Sequence, residues 1–169
     1  MIDMKREQER EELYKTIWSI AEDLRGNVDG WDFKQYVLGM LFYRYISENL
    51  RNYINKGEIE SGDIDFNYAN LDDEEAESIR EEIVKEKGFF ILPSQLFENI
   101  VKKAKDDENL NENLKNIFDS IENSSKGTPS EENFKGLFED IDVNSNKLGA
   151  TVNKRNELLT KLLEKFGRI

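Results

Sequence analysis

The sequence predicts an all-α protein, a compact multi-helix bundle with at most a minor short β element near Phe89-Leu92. Three observations support this. Apolar residues recur at three- and four-residue intervals in one segment after another, the spacing that lines one face of a helix. Ten glycines and two prolines in 169 residues are too few for a many-turned β-sandwich. Charged residues make up 36% and hydrophobic residues 37%, with aromatics plentiful, so the chain has a charged exterior without the composition of a disordered acidic segment. The length suits one domain, residues 1–169, with one sizeable core.

Leu13, Ile17, Ile20, Ala21 and Leu24 place a first helix from about Gln8 to Arg25. Gly26 is its expected stop, because glycine accepts a left-handed backbone. A short loop follows, as between antiparallel neighbours, and Asp29 can cap a second helix from about Trp31 to Tyr53. Apolar residues run most of the way round that helix between Val37 and Ile46, which marks a central one. Gly39 in its interior costs about 1 kcal/mol relative to Ala, so its presence predicts a close helix crossing.

Residues 55–71, with Gly57, Gly62 and several Asn and Asp, read as irregular. Asp72 and Glu75 have capping-box spacing at the start of a third helix, which buries Ala76, Ile79, Ile83 and Val84 and ends at Gly88. Pro93 closes a short extended stretch. Ser94 is then expected to cap a helix carrying Leu96, Phe97, Ile100 and Val101, and another helix carries Leu110, Leu114, Ile117, Phe118 and Ile121. Ser124 to Ser130 is rich in turn residues. The chain closes on a helix from about Thr151 to Phe166, with Leu158, Leu159, Leu162, Leu163 and Phe166 as its apolar residues.

The net charge of −12 is unevenly spread. Residues 1–60 carry a net −3, residues 61–125 a net −10, and residues 126–169 a net +1. From Lys147 onward six basic residues face two acidic ones. The middle should repel phosphate, and only the C-terminal portion can meet a nucleic acid without an electrostatic penalty. There is no cysteine and no histidine, which excludes disulfides, thiolate nucleophiles, His-dependent triads and the usual imidazole and thiolate metal ligands. Met1 to Arg10 is charged and lacks the apolar core of a signal peptide, and no apolar run reaches membrane-spanning length. A cytoplasmic protein without membrane contact is the expectation.

Three stretches carry a family resemblance: Leu24-Arg25-Gly26-Asn27, Val37-Leu38-Gly39-Met40-Leu41-Phe42-Tyr43-Arg44-Tyr45-Ile46-Ser47, and Phe134-Lys135-Gly136-Leu137 through Lys147-Leu148-Gly149. Together they resemble the N-terminal helical domain of the modification (methyltransferase) subunit of type I restriction–modification systems. The likeness runs from about Leu13 to Leu163 and is weakest between Asn55 and Asn70. It implies a helical bundle followed by a Rossmann-like catalytic domain, expected after residue 169. It also implies assembly with a specificity subunit, a second modification subunit and restriction subunits around double-stranded DNA. The whole subunit would use S-adenosylmethionine to methylate adenine at N6, and this domain would serve assembly and closure on the duplex.

The chain itself lacks that chemistry. Binding S-adenosylmethionine needs a Gly-rich turn, and none of the glycines here falls in a Gly-x-Gly pair. Adenine-N6 transfer needs an Asn/Asp-Pro-Pro-aromatic loop to hold the flipped base, yet Pro93 and Pro129 each stand alone. No catalytic, cofactor-binding or metal-binding residue is therefore assigned. The acidic runs Asp72-Asp73-Glu74-Glu75 and Asp106-Asp107-Glu108 read as solvated helix starts, favoured by the helix dipole. Tyr36, Tyr43, Tyr45 and Tyr53 read as core with hydroxyls at the rim, and Lys34 and Arg44 as surface or snorkelling residues.

Asp142 to Gly149 has two readings. Its Asp, Asn and Ser side chains can bond to nearby backbone, making a specified turn that aims the last helix. Alternatively Asn144, Asn146, Lys147, Lys154 and Arg155 reach DNA or a partner subunit. Outside this family, a stand-alone acidic helical adaptor would suit the fold. An acidic DNA mimic would need regularly spaced carboxylates over an extended face, whereas Lys102, Lys103 and Lys105 interrupt the acidic segment here.

Overall fold

In the computed structural model, which describes residues 2–24, 30–136, 138, 141–145 and 148–168, the long helix α2 (Gly30–Glu60) follows α1 (Ile2–Leu24). Gly26 and Asp29 lie outside the described residues, as do the side chains of Leu13, Ile17, Ile20, Ala21, Leu24 and Lys34. α2 continues well past Tyr53 because Ile54 is drawn into the core and no proline interrupts the turns beyond it. Tyr36, Met40, Tyr43, Ile46, Leu50 and Ile54 recur at helical spacing as its buried stripe. The opposite side is not buried: Leu38 and Tyr45 are 51% and 65% exposed. Tyr36 and Tyr43 are thus core residues, while Tyr45 and Tyr53 are not.

The predicted third helix is two helices, α3 (Asp73–Glu77) and α4 (Arg80–Lys87). Asp72 caps α3 by accepting from the Glu74 amide, and the break at Ser78-Ile79 lets both Ala76 and Ile83 face the core. Gly88 ends α4 in a left-handed conformation, φ 88°. A Cβ there would also lie 2.2 Å from the Ser130 hydroxyl, so the stop is a contact point as well. Phe89, Phe90 and Ile91 are buried and Leu92 partly so, but no strand forms among the described residues. Side chains satisfy that backbone instead: the Phe90 amide donates to Ser124 Oγ at 2.9 Å, and Tyr68 OH donates to the Ile91 carbonyl at 2.7 Å.

Ser94 does not cap the next helix. It sits in a 3₁₀ turn, Pro93–Gln95, where its amide and hydroxyl both donate to the Asp73 carboxylate. α5 (Phe97–Ala104) is instead capped from α2, whose buried Ser47 hydroxyl accepts the Phe97 amide at 3.1 Å. α6 (Leu110–Ser124) and the short α7 (Glu131–Phe134) follow, and Thr151 caps α8 (Val152–Gly167) through the Lys154 amide.

α8 touches α1, α2, α5 and α6, so the closing helix is as central as α2. Its Leu159, Leu162, Leu163 and Phe166 have no exposed surface. Each such side chain is worth about 1.5–3 kcal/mol relative to an exposed one. Arg44 of α2 secures its far end, bonding to the Phe166 carbonyl while pairing with Glu48 at 2.9 Å. A cation at a helix C-terminus meets both the unsatisfied carbonyls and the negative end of the dipole.

Candidate functional site

Between α7 and α8 the chain forms a strap over α2 and α6, pinned by Phe134, Phe138, Ile141, Val143 and Leu148, all buried. Phe138 stacks on Phe118 of α6 with centroids 4.4 Å apart, and Phe134 meets Phe42 of α2 edge-on at 5.8 Å. Polar contacts fix the register of the strap. Tyr36 OH donates to the Asp142 carbonyl at 2.6 Å, and the Gly136 amide donates to Glu122 Oε1 at 3.1 Å. Gly39 is where α2 admits the strap, since an added Cβ would lie 1.7 Å from Ile141 Cδ1. The close approach expected at this glycine exists, but its partner is the strap rather than another helix.

The strap leads into the turn that carries the predicted contact residues. Asn144 accepts a bond from Asn111 Nδ2 through its side-chain oxygen, while its amide donates to Asp142 Oδ1 at 3.0 Å. Arg155 reaches back to the Gly149 carbonyl at 2.9 Å. Gly149 has no room for a side chain, because a Cβ would sit 2.7 Å from Lys154 Cβ and 3.0 Å from the Arg155 amide. Lys154 is exposed on the first turn of α8. The structure therefore places Lys154 and Arg155 together on the first turn of α8 and Asn144 in the segment before it, with Asn144 and Arg155 bonded within the protein. Asn146 and Lys147 lie outside the described residues.

Beneath the turn runs a polar seam that the residue pattern did not announce. The Asn111 amide donates to Asn156 Oδ1 at 3.0 Å, and Asn156 Nδ2 donates to the Glu108 carbonyl at 2.8 Å. Both Asn side chains are buried, and Asn111 Oδ1 has no partner among the described residues. One signal was available, since Asn156 stands three residues before Leu159 on the inward face of α8.

The electrostatics are structural in character. Burial raises the Tyr43 hydroxyl far above its ordinary range, and Tyr68 likewise, with the Asp73 carboxylate adding to the effect. The hydrogen bond from Arg80 lowers Glu77, and that same bond raises Arg80. A bond to Glu86 raises Tyr53. These groups are spread over α2, the Tyr68–Asn70 turn and α3–α4 and do not converge on one cavity. A cavity of about 280 Å³ opens between strap and α6, lined by Phe118, Phe138, Ile141 and Val143, with the Lys115–Asp119 pair near it. Among the described residues no group of three or more carboxylates is placed to hold a metal ion, and no helix is long and apolar enough to cross a membrane.

Comparison with known proteins agrees with this architecture. The family model described as the HsdM N-terminal domain matches residues 13–166. The chain is 48% identical to the type I restriction enzyme MpnII methylase subunit of Mycoplasma pneumoniae, over 96% of this chain and 31% of that protein. It superposes with a TM-score of 0.72 on the crystal structure of the type I restriction-modification system methyltransferase subunit from Streptococcus thermophilus. That match has 29% identity and covers 94% of this chain and 34% of the other. The chain thus spans about a third of the length of either relative. Strap, tight glycine contacts and helix order all lie within the matched segment, and the chain belongs to the HsdM N-terminal domain family.

Proposed function

We propose that this chain is the helical front domain of a DNA adenine-N6 methyltransferase subunit, non-catalytic by itself. A Rossmann-like domain following it would bind S-adenosylmethionine and carry the reaction. The observation that supports this most is the family match over residues 13–166, together with two relatives that are type I methylase or methyltransferase subunits. The work of the domain is assembly: it joins a specificity subunit, a second modification subunit and the restriction subunits, and closes the complex on double-stranded DNA in the cytoplasm. Lys154, with Asn146 and Lys147 by their place in the sequence, makes the outward contact to DNA or a neighbouring subunit. Asn144 and Arg155, bonded within the protein, hold the segment that leads into α8. The sequence from residue 126 onward, net +1, suits such a contact better than the middle segment, net −10.

The test is sedimentation of the full-length Mycoplasma pneumoniae relative with its specificity subunit, with and without the segment that matches this chain. The intact subunit is expected to form a complex of two modification subunits and one specificity subunit. The shortened subunit should lose that stoichiometry while keeping S-adenosylmethionine binding. An unchanged two-to-one complex would remove assembly from the domain's work.

A further inference from the structure

At the far end of α2, away from the strap, a groove of about 480 Å³ lies between the last turns of α2 and α4, floored by the core residues Ile54 and Ile83. Its apolar residues are Tyr53, Ile54, Ile79 and Ile83, and its carboxylates are Glu58, Glu60, Glu82 and Glu86. Ile59 and Ile64, at the same end of α2, are 44% and 74% exposed. Two features of the charge placement work against the stability of the isolated chain. Glu58 and Glu60 occupy the last turn of α2, which has no basic residue, although the dipole there favours cations. Glu82 and Glu86 repeat the like-charge problem at i,i+4 on α4.

The cations near the groove do not balance this set. Lys56 lines it, and Lys87 lies over the Tyr53 ring, 4.9 Å from the centroid, while the Tyr53 hydroxyl donates to Glu86. The Tyr53 hydroxyl is raised chiefly by its hydrogen bond to Glu86, with the charges of Glu86 and Glu82 adding to it. Lys87 also shows that the ring accepts a cation on its face.

From this groove and the carboxylates that frame it, we propose that this end of the domain docks a basic amphipathic helix of a partner protein. Its apolar side chains would rest on Tyr53 and the half-buried Ile79, above the buried Ile54 and Ile83, and its Lys or Arg residues would meet Glu58, Glu60, Glu82 and Glu86. Helix-in-groove recognition joins an apolar stripe to a charged margin in this way, and the margin supplies specificity and rate of encounter. The surface is distinct from the Lys154 turn, and the inference does not rest on the methyltransferase reading.

The test uses the whole chain and a fluorescein-labelled helical peptide of Leu and Lys, read by anisotropy and by amide shifts. Saturable binding is expected, with shifts confined to residues 53–60 and 79–86. The Glu82→Lys/Glu86→Lys variant should weaken it at least about tenfold, as loss of close charge pairs does. Glu112→Lys/Glu132→Lys makes the same change in net charge on exposed residues elsewhere and should leave it within about twofold. A peptide with Ser in place of Leu should not bind. Equal loss in the two variants, or equal binding of the Ser peptide, would reduce the effect to the general attraction of a chain of net charge −12 and overturn the proposal. Shifts elsewhere on the molecule would overturn it too.

Discussion

Ile141→Ala is expected to destabilise the domain by about 2–5 kcal/mol, the range for emptying a packed apolar site. Ile141 is buried and fills the space above Gly39, where no Cβ fits while it is present. The two positions are therefore one packing unit. Gly39→Ala alone gains helix propensity worth about 1 kcal/mol, but it forces Ile141 out of its seat at a cost of about 1–3 kcal/mol. In the Gly39→Ala/Ile141→Ala double variant the new methyl occupies part of the vacated volume and the propensity gain is kept. The double should be more stable than the sum of the single changes implies, by more than about 1 kcal/mol. Urea denaturation of the four proteins checks this. Strict additivity would mean that Ile141 does not pack on Gly39.

Asn156→Ala is the second large expected effect, about 2–4 kcal/mol. It removes two hydrogen bonds and strands the Asn111 amide inside the protein, where desolvation is not recovered. The Glu108 carbonyl loses its donor as well, but Glu108 is exposed and water can replace it. Because Asn111 also holds Asn144, the damage should reach the turn before α8, and amide exchange at Asn144 and Ser145 should accelerate. Asn153→Ala, at an exposed position on the same helix, should stay within about 0.5 kcal/mol of the parent. If the two Asn variants lose equal stability in thermal melts, the seam is not an organising feature.

What was legible in the sequence was local in cause. The apolar stripes of α6 and α8 and the stop at Gly88 each depend on residues a few positions apart, and each stands where expected. The misplacements come from long-range partners. Ser94 has the residue type of a helix cap, but the Asp73 carboxylate takes both its donors, and Ser47 of α2 caps α5 instead. α2 runs through Gly57 because burial of Ile54 outweighs a local glycine penalty. Tyr45 is exposed although its helix is central, since a period of 3.6 leaves one side outward even in an apolar run.

The signature Arg44-Tyr45-Ile46-Ser47 marked lineage without revealing its work. In the fold Arg44 closes α8, Ile46 packs in the core and Ser47 opens α5, so the motif ties one helix to the ends of two others. The Asn144 turn was recognisable as a specified element from its Asp, Asn and Gly. Its inward partner Asn111 was not, because an Asn on a helix looks like a surface residue until the opposite element supplies Asn156.

The most direct measurement grafts this chain in place of the matching segment of the Mycoplasma pneumoniae methylase subunit. Transfer of methyl groups from S-adenosylmethionine to adenine N6 in duplex DNA is then followed with the specificity subunit present. The grafted enzyme is expected to methylate, the enzyme lacking the segment to lose that activity, and this chain alone to transfer nothing. Undiminished methylation without the segment, or a well-folded graft that binds S-adenosylmethionine but cannot methylate, would contradict the account.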